Sequence, residues 1–135
     1  MFEPKLFFNL AENLKNSPKD NLLEARIRTS VGRSYYAIFL ATRNRVEKLV
    51  NKELENRRDV HQTIINKLKE CQDIQMAEFG TNLDSLRQYR LQADYRIRTN
   101  ISPNIAETAF TLANELFDDL KSLSENDLKT LFHAI

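Results

Sequence analysis

The chain has 135 residues, 41% of them hydrophobic and 29% charged, so it is long enough for one globular domain and too short for two comfortable ones. Only 2 Gly and 3 Pro occur, where average usage would give about sixteen together, and so few chain-reversing residues argue strongly against a many-stranded sandwich or barrel. A single cysteine, Cys71, leaves no intramolecular disulfide and no multi-cysteine zinc site, and 20 basic against 19 acidic residues give no bulk electrostatic case for nucleic acid.

Taken in chain order, Pro4 suits a first helical position, and Leu6, Phe7, Leu10, Ala11 and Leu14 form one apolar face that ends near Asn16 to Pro18. A second helix is expected from about Asp20 to Asn51, with Ile27, Val31, Tyr35, Ile38, Thr42, Val46 and Leu49 recurring every three or four residues. At some 30 residues it spans about 45 Å. Gly32 inside it suggests a close helix crossing. A polar stretch, Lys52 to Arg58, leads to a shorter helix beginning near Asp59. The segment from Cys71 to Gly80 reads as irregular, with Gly80 as punctuation and Thr81 or Asn82 capping a helix that runs to about Arg98.

Ser102 followed by Pro103 starts the next helix, whose seam is Ala106, Ala109, Phe110, Ala113, Leu116, Phe117, Leu120 and Leu123. Ser124 to Asp127 has the form of a capping box for a last short helix, Asn126 to about His133. Nothing alternates with period two, and no apolar run approaches the roughly 18 residues of a membrane span. The expectation is an all-α, up-and-down bundle of four to five main helices plus a short C-terminal helix, one domain over residues 1–135. The start MFEPKLFF has an acid where a signal peptide needs a basic region, so a cytoplasmic location is expected.

Charge is unevenly spread. Ala25 to Val46 holds Arg26, Arg28, Arg33, Arg43 and Arg45 and no acid, and Ser85 to Asn100 adds Arg87, Arg90, Arg96 and Arg98 against Asp94 alone. A planar guanidinium fork suits bidentate phosphate contacts better than an ammonium does. Packed side by side, these segments would make a basic face, with the acidic last helices facing elsewhere.

Three polar features fall where the pattern asks for apolar residues. Leu83, Leu86, Arg90, Ala93 and Ile97 follow a three-four spacing that puts Arg90 on a seam, with Asp94 one turn later. A guanidinium there must be paired or face a cleft, so the choice lies between an Arg90 to Asp94 lock and a phosphate ligand oriented by Asp94. His61 shares the apolar half of its helix with Val60, Ile64, Ile65 and Leu68, which favours a packed histidine over a reactive one. Tyr35 lies on the main stripe as core, whereas Tyr36, beside Arg33 and Leu40, points to a second contact surface. No HExxH, Walker loop, GxGxxG or GxSxG occurs, and no metal site or cofactor is expected.

These features also carry a resemblance. RTSVGRSYYAIFLATR (28–43), VHQTII (60–65) and LRQYRLQADY (86–95) resemble, in order and spacing, three motifs of HEPN-domain proteins, with the last matching an R-x-x-A-D-Y string. The resemblance covers about residues 20–120 and points to the small single-domain HEPN branch. It implies a helical bundle, usually a homodimer, that binds nucleotides or RNA. Some members are metal-independent endoribonucleases, and others pair, as toxin-like components, with an MNT-type nucleotidyltransferase antitoxin. Ribonuclease members follow the motif arginine, after four to six residues, with a histidine. Arg90 matches that arginine, but Tyr95, Arg96 and Ile97 stand where the histidine would be.

The resemblance therefore implies ligand binding through Arg33, Tyr36, Arg90, Asp94 and Tyr95. Catalysis would need His61 to join Arg90 and Tyr95. A non-catalytic helical adaptor is the third expectation.

Overall fold

The computed structural model describes residues 2–54 and 59–133. Among them the chain forms six helices: α1 (Lys5–Lys15), α2 (Leu23–Val50), α3 (Val60–Lys69), α4 (Ile74–Tyr95), α5 (Pro103–Ser122) and α6 (Glu125–Phe132), with no strand. This is the all-α bundle expected, and no helix among the described residues is long and apolar enough to cross a membrane.

Helix α2 is the axis. It packs against α1, α4, α5 and α6, while α3 lies on α4. From Ser30 to Phe39 only Arg33 and Tyr36 escape full burial, so apolar and small residues cover its whole circumference instead of one stripe. The price of enclosure is polar atoms in the core. Ser30 Oγ donates to Ala11 O of α1 at 2.7 Å, and Thr42 Oγ1 to Ile38 O one turn back at 2.8 Å. Ser34 Oγ has no hydrogen-bond partner among the described residues.

Helix α1 buries Phe8 and Ala11, with Phe8 stacked on Phe110 of α5 at 4.3 Å and edge-on to Phe117 at 5.5 Å. The face expected from sequence is thus rotated, for Leu6 and Leu10 are exposed. Two apolar rows run along this helix, and the aromatic one takes the core because a stacked phenyl buries more area than a leucine.

The largest departure from expectation is in α4, which begins seven residues before Thr81 and ends at Tyr95. Asp73 supplies the cap, accepting from Met76 N at 3.0 Å, and neither Thr81 nor Asn82 serves as one. Gly80 lies in mid-helix. A Cβ there would sit 2.6 Å from Lys69 N and 2.7 Å from Leu68 Cβ, so the glycine lets α4 press on the last turn of α3. The close crossing expected at Gly32 is not there, since a Cβ at that position would meet only Asp94 Oδ1 at 3.8 Å. At the other end of α4 the chain leaves the helix before Ile97, which is 85% exposed instead of lying on the seam.

The remaining boundaries are closer to expectation. α2 starts at Leu23, because Asp20 is drawn off to accept from Leu22 N at 2.9 Å and from Arg26 at 2.7 Å. Pro103 opens α5 as expected, although the Ser102 side chain makes no cap bond, and Ser124 Oγ caps α6 through Asp127 N at 3.2 Å. The expected linker 52–58 is described only as far as Leu54, its later residues lying outside the described ones.

The two glycines separate experimentally. Gly80→Ala should lower stability by about 1–3 kcal/mol through overpacking, whereas Gly32→Ala should be neutral or gain up to about 1 kcal/mol from helix propensity. Urea denaturation of both variants checks this, with equal losses at the two positions contradicting it.

Candidate functional site

Most of the arginines are held inside the fold. Arg28 of α2 reaches the C-terminal end of α4, where its guanidinium donates to Ala93 O at 2.9 Å and Arg96 O at 3.2 Å and pairs with Glu24 at 3.3 Å. Helix α4 has no basic residue in its last turn, so a cation from another helix meets its negative end. Glu24 also accepts from Ile101 N at 3.4 Å, tying the α4 to α5 connection to the start of α2. Arg43 donates to Leu54 O at 2.7 Å while Glu47 accepts from Leu54 N at 2.7 Å, so one turn of α2 grips both backbone polar groups of a single residue. Arg45 donates to Leu123 O at 3.2 Å, and Arg26 pairs with Asp20. Here the guanidinium fork serves carbonyls, not phosphates.

The expected site residues fall into two groups joined by Tyr36. Arg90 is ion-paired with Asp94 at 2.8 Å, its side chain 16% exposed, as the i to i+4 spacing foretold. Its guanidinium also lies over two rings, Tyr36 at 5.1 Å and Tyr95 at 5.7 Å. Arg33 covers Tyr36 as well, at 5.3 Å, and Phe7 of α1 at 4.8 Å, so α1 occupies part of the second face of α2. Arg33 has no carboxylate partner among the described residues. Phe7, Arg33, Tyr36, Arg90 and Tyr95 thus form an alternating series of rings and cations. With two guanidiniums over its ring, Tyr36 has little surface left for a base. Tyr95, 67% exposed, is the open end of the series.

His61 belongs to the other group. Its ring stacks on Phe39 at 3.8 Å and 8°, meets Tyr36 edge-on at 5.9 Å, and its Nδ1 lies 2.7 Å from Tyr35 Oη. The Tyr35 ring is fully buried, and His61 is the one hydrogen-bond partner of its hydroxyl among the described residues. If Nδ1 carried the proton, the tyrosine hydrogen would be buried without an acceptor, so Tyr35 donates and Nδ1 accepts. The ring proton of neutral His61 therefore sits on Nε2. Burial, and after it the Arg87, Arg90 and Arg43 charges, push the His61 pKa down to about 4. Burial likewise holds the Tyr35 hydroxyl well above the usual phenol range. His61 makes no hydrogen bond to Arg90 or Tyr95 among the described residues.

Sequence reasoning passed over Glu24, Phe39 and Gln62, and named Arg28 and Arg87 only as members of the arginine-rich segments. Arg87 donates through Nη1 to Gln62 Oε1, and Gln62 Nε2 donates to Asn66 Oδ1 at 2.6 Å, a polar chain beside His61. A signal was available for this chain, since His61 and Gln62 put two adjacent polar residues at the start of an otherwise amphipathic helix. None was available for Arg28, whose targets are backbone carbonyls more than sixty residues away. An open groove lined by Pro4, Lys5, Ala41, Arg45, Phe117 and Leu120 lies apart from all these residues. Among the described residues no group of three or more His, Cys, Asp or Glu could hold a metal ion.

Acid titration tests the histidine geometry. Unfolded His61 takes up a proton near pH 6.5, while folded His61 stays neutral until about pH 4. Unfolding therefore binds a proton in this window, and stability should fall as pH drops from about 6.5 to about 4. Urea midpoints at several pH values should show a smaller fall in His61→Gln than in the wild type, and identical profiles would contradict the burial described.

Compared with family models, with curated proteins and with solved structures, the chain gives no match.

Proposed function

We propose that the chain is a HEPN-like nucleotide- or RNA-binding protein, acting in the cytoplasm as a homodimer beside an MNT-type nucleotidyltransferase or within a defence system. The reading rests on the motif resemblance, and the observation that carries it furthest is the series Arg33, Tyr36, Arg90 and Tyr95. Cations interleaved with rings, ending in an exposed tyrosine, suit a single-stranded ligand whose phosphates meet guanidiniums and whose bases stack. Asp94 then orients Arg90 instead of cancelling the site, because Arg33 adds a charge without a carboxylate partner.

The endoribonuclease reading, with Arg90, His61 and Tyr95 as the reacting groups, draws support from Tyr36, whose ring touches both His61 and Arg90. It asks more of His61 than the surroundings favour. A general base needs a free lone pair, and in His61 the Nδ1 pair is engaged with Tyr35 while Nε2 bears the proton. Weak or absent cleavage is the expected behaviour of the isolated chain.

Binding and cleavage are read in one experiment. A labelled single-stranded RNA should bind at low salt and remain intact, and its affinity should fall as salt rises with a slope of about −0.7 per phosphate contacted. Arg90→Ala should abolish most of the binding while leaving the helical circular-dichroism signal unchanged. Binding indifferent to Arg90 would sink the proposal, and robust cleavage lost in both Arg90→Ala and His61→Ala would replace it with the ribonuclease reading.

The dimer is tested separately by light scattering at high micromolar concentration, where twice the monomer mass is expected. Its motivation is the apolar surface left outside the core, namely Leu6 and Leu10 of α1 and Phe2 just before it. A monomer at that concentration would refute it.

A further inference from the structure

Arg87 is the cation that the site geometry leaves without a purpose. It is half-buried between α3 and α4, and its hydrogen-bond partner among the described residues is the neutral amide of Gln62. Its Nε is buried and has no acceptor, and no carboxylate among the described residues pairs with it. The acid nearest along its own helix, Asp84, is taken by Lys69 at 3.0 Å. A buried guanidinium N–H without an acceptor is costly, and of the three arginines with such an Nε among the described residues, Arg45 donates elsewhere to a backbone carbonyl and Arg90 is paired with a carboxylate, whereas Arg87 has only the Gln62 amide.

His61, one residue before Gln62 on α3, carries a second donor. Gln62, which holds Arg87, is its chain neighbour, and Arg87 is the charge that bears on His61 most strongly. The Tyr35 bond fixes the ring with Nδ1 inward as acceptor, so Nε2–H faces away from that bond. Nε2 has no partner among the described residues and is not one of the buried unpartnered atoms. The charged and titratable groups around the ring are Tyr35, Tyr36 and Arg43 from α2 and Arg87 and Arg90 from α4. Arg43 and Arg90 each have a carboxylate, Glu47 at 3.8 Å and Asp94 at 2.8 Å, and Arg87 does not. The wall thus presents N–H donors, one of them permanently charged, and no matching acceptor.

We propose that Arg87 and the Nε2–H of His61 form a phosphoryl-binding subsite, adjoining the Arg90 series and reached by one phosphate of the ligand. The inference rests on the nucleotide or RNA reading for its ligand, but its geometry stands on the unpartnered donors alone. His61 acts there as a hydrogen-bond donor, not as a base. An anion seated on Arg87 offsets that residue's share of the penalty on imidazolium, so occupancy and protonation of His61 favour one another.

The test uses the full chain with nitrogen-15-labelled histidine, the two imidazoles being assigned with His133→Gln, and inorganic pyrophosphate as probe. At pH 7 pyrophosphate should move the His61 Nε2 resonance, and the midpoint of His61 titration should climb from about 4 to about 5 or above. Arg87→Gln should abolish this response, and Arg87→Lys, which restores the charge without the planar fork, should recover part of it. The Nδ1 resonance, set by Tyr35, reports that each variant keeps its fold. An unmoved Nε2 resonance in the wild type, or an Arg87→Gln protein that responds like the wild type, overturns the subsite.

A parallel titration with single-stranded RNA separates the two proposals. RNA that binds through Arg90 without disturbing His61 overturns the subsite and leaves the RNA reading standing. Pyrophosphate that moves His61 in a protein that binds no RNA does the reverse.

Discussion

The hydrogen bond from Tyr35 to His61 Nδ1, 2.7 Å long and reaching into the core, constrains much of what surrounds it. Helix α2 is enclosed on nearly all sides, so a tyrosine on its main stripe brings a hydroxyl where water cannot follow. One acceptor must be supplied from another helix, and α3 supplies it through the ring that also stacks on Phe39. That single requirement sets the rotation of α3 and the tautomer of the imidazole. Histidine chemistry in this protein is therefore subordinate to a buried hydroxyl of the core.

The helices were legible in the sequence where one apolar row competes with nothing else. α5 has a single seam, and its start at Pro103 follows from the fixed dihedral of proline and its missing donor. α1 was misread because two apolar rows run along it, and the choice between Leu6 with Leu10 and Phe8 with Ala11 depends on the aromatic partners Phe110 and Phe117, over a hundred residues on. α4 was misread for a related reason. Glycine weakens an isolated helix, so Gly80 looks like a break, yet against α3 the missing Cβ is what allows contact. Local propensity lost to packing at that position. In the site, Arg90 with Asp94 could be read from spacing alone, as could a packed His61. The roles of Arg28, Arg43 and Arg45 could not, since their acceptors are backbone carbonyls, which every sequence contains everywhere.

The arginines divide by what they touch, and the division reaches from stability to function. Arg28, Arg43 and Arg45 each donate to a carbonyl at a helix end or in a connection, groups that the ladder of a helix leaves unpaired. Those contacts hold the α4 to α5 connection, the end of α5 and Leu54 after α2 in place, and contribute to folding whatever the protein binds. Arg33, Arg87 and Arg90 touch rings, an amide and one carboxylate, and they gather where α2, α3 and α4 meet. Against these cations stands Asp94. Like charges held near one another in a partly desolvated setting oppose folding, because neither water nor counter-charge fully screens them. A fold optimised for stability alone would place a carboxylate beside Arg87 or replace it with an apolar residue that packs on Gln62. The enclosure that forces His61 to be neutral acts in the same direction, since after burial itself the Arg87, Arg90 and Arg43 charges lower its pKa further. Positive charge is thus left concentrated at the junction through which α2 communicates with both α3 and α4. An anion bound there would relieve the repulsion and bridge the helices in one step, so ligand binding and the rigidity of this junction are thermodynamically the same variable.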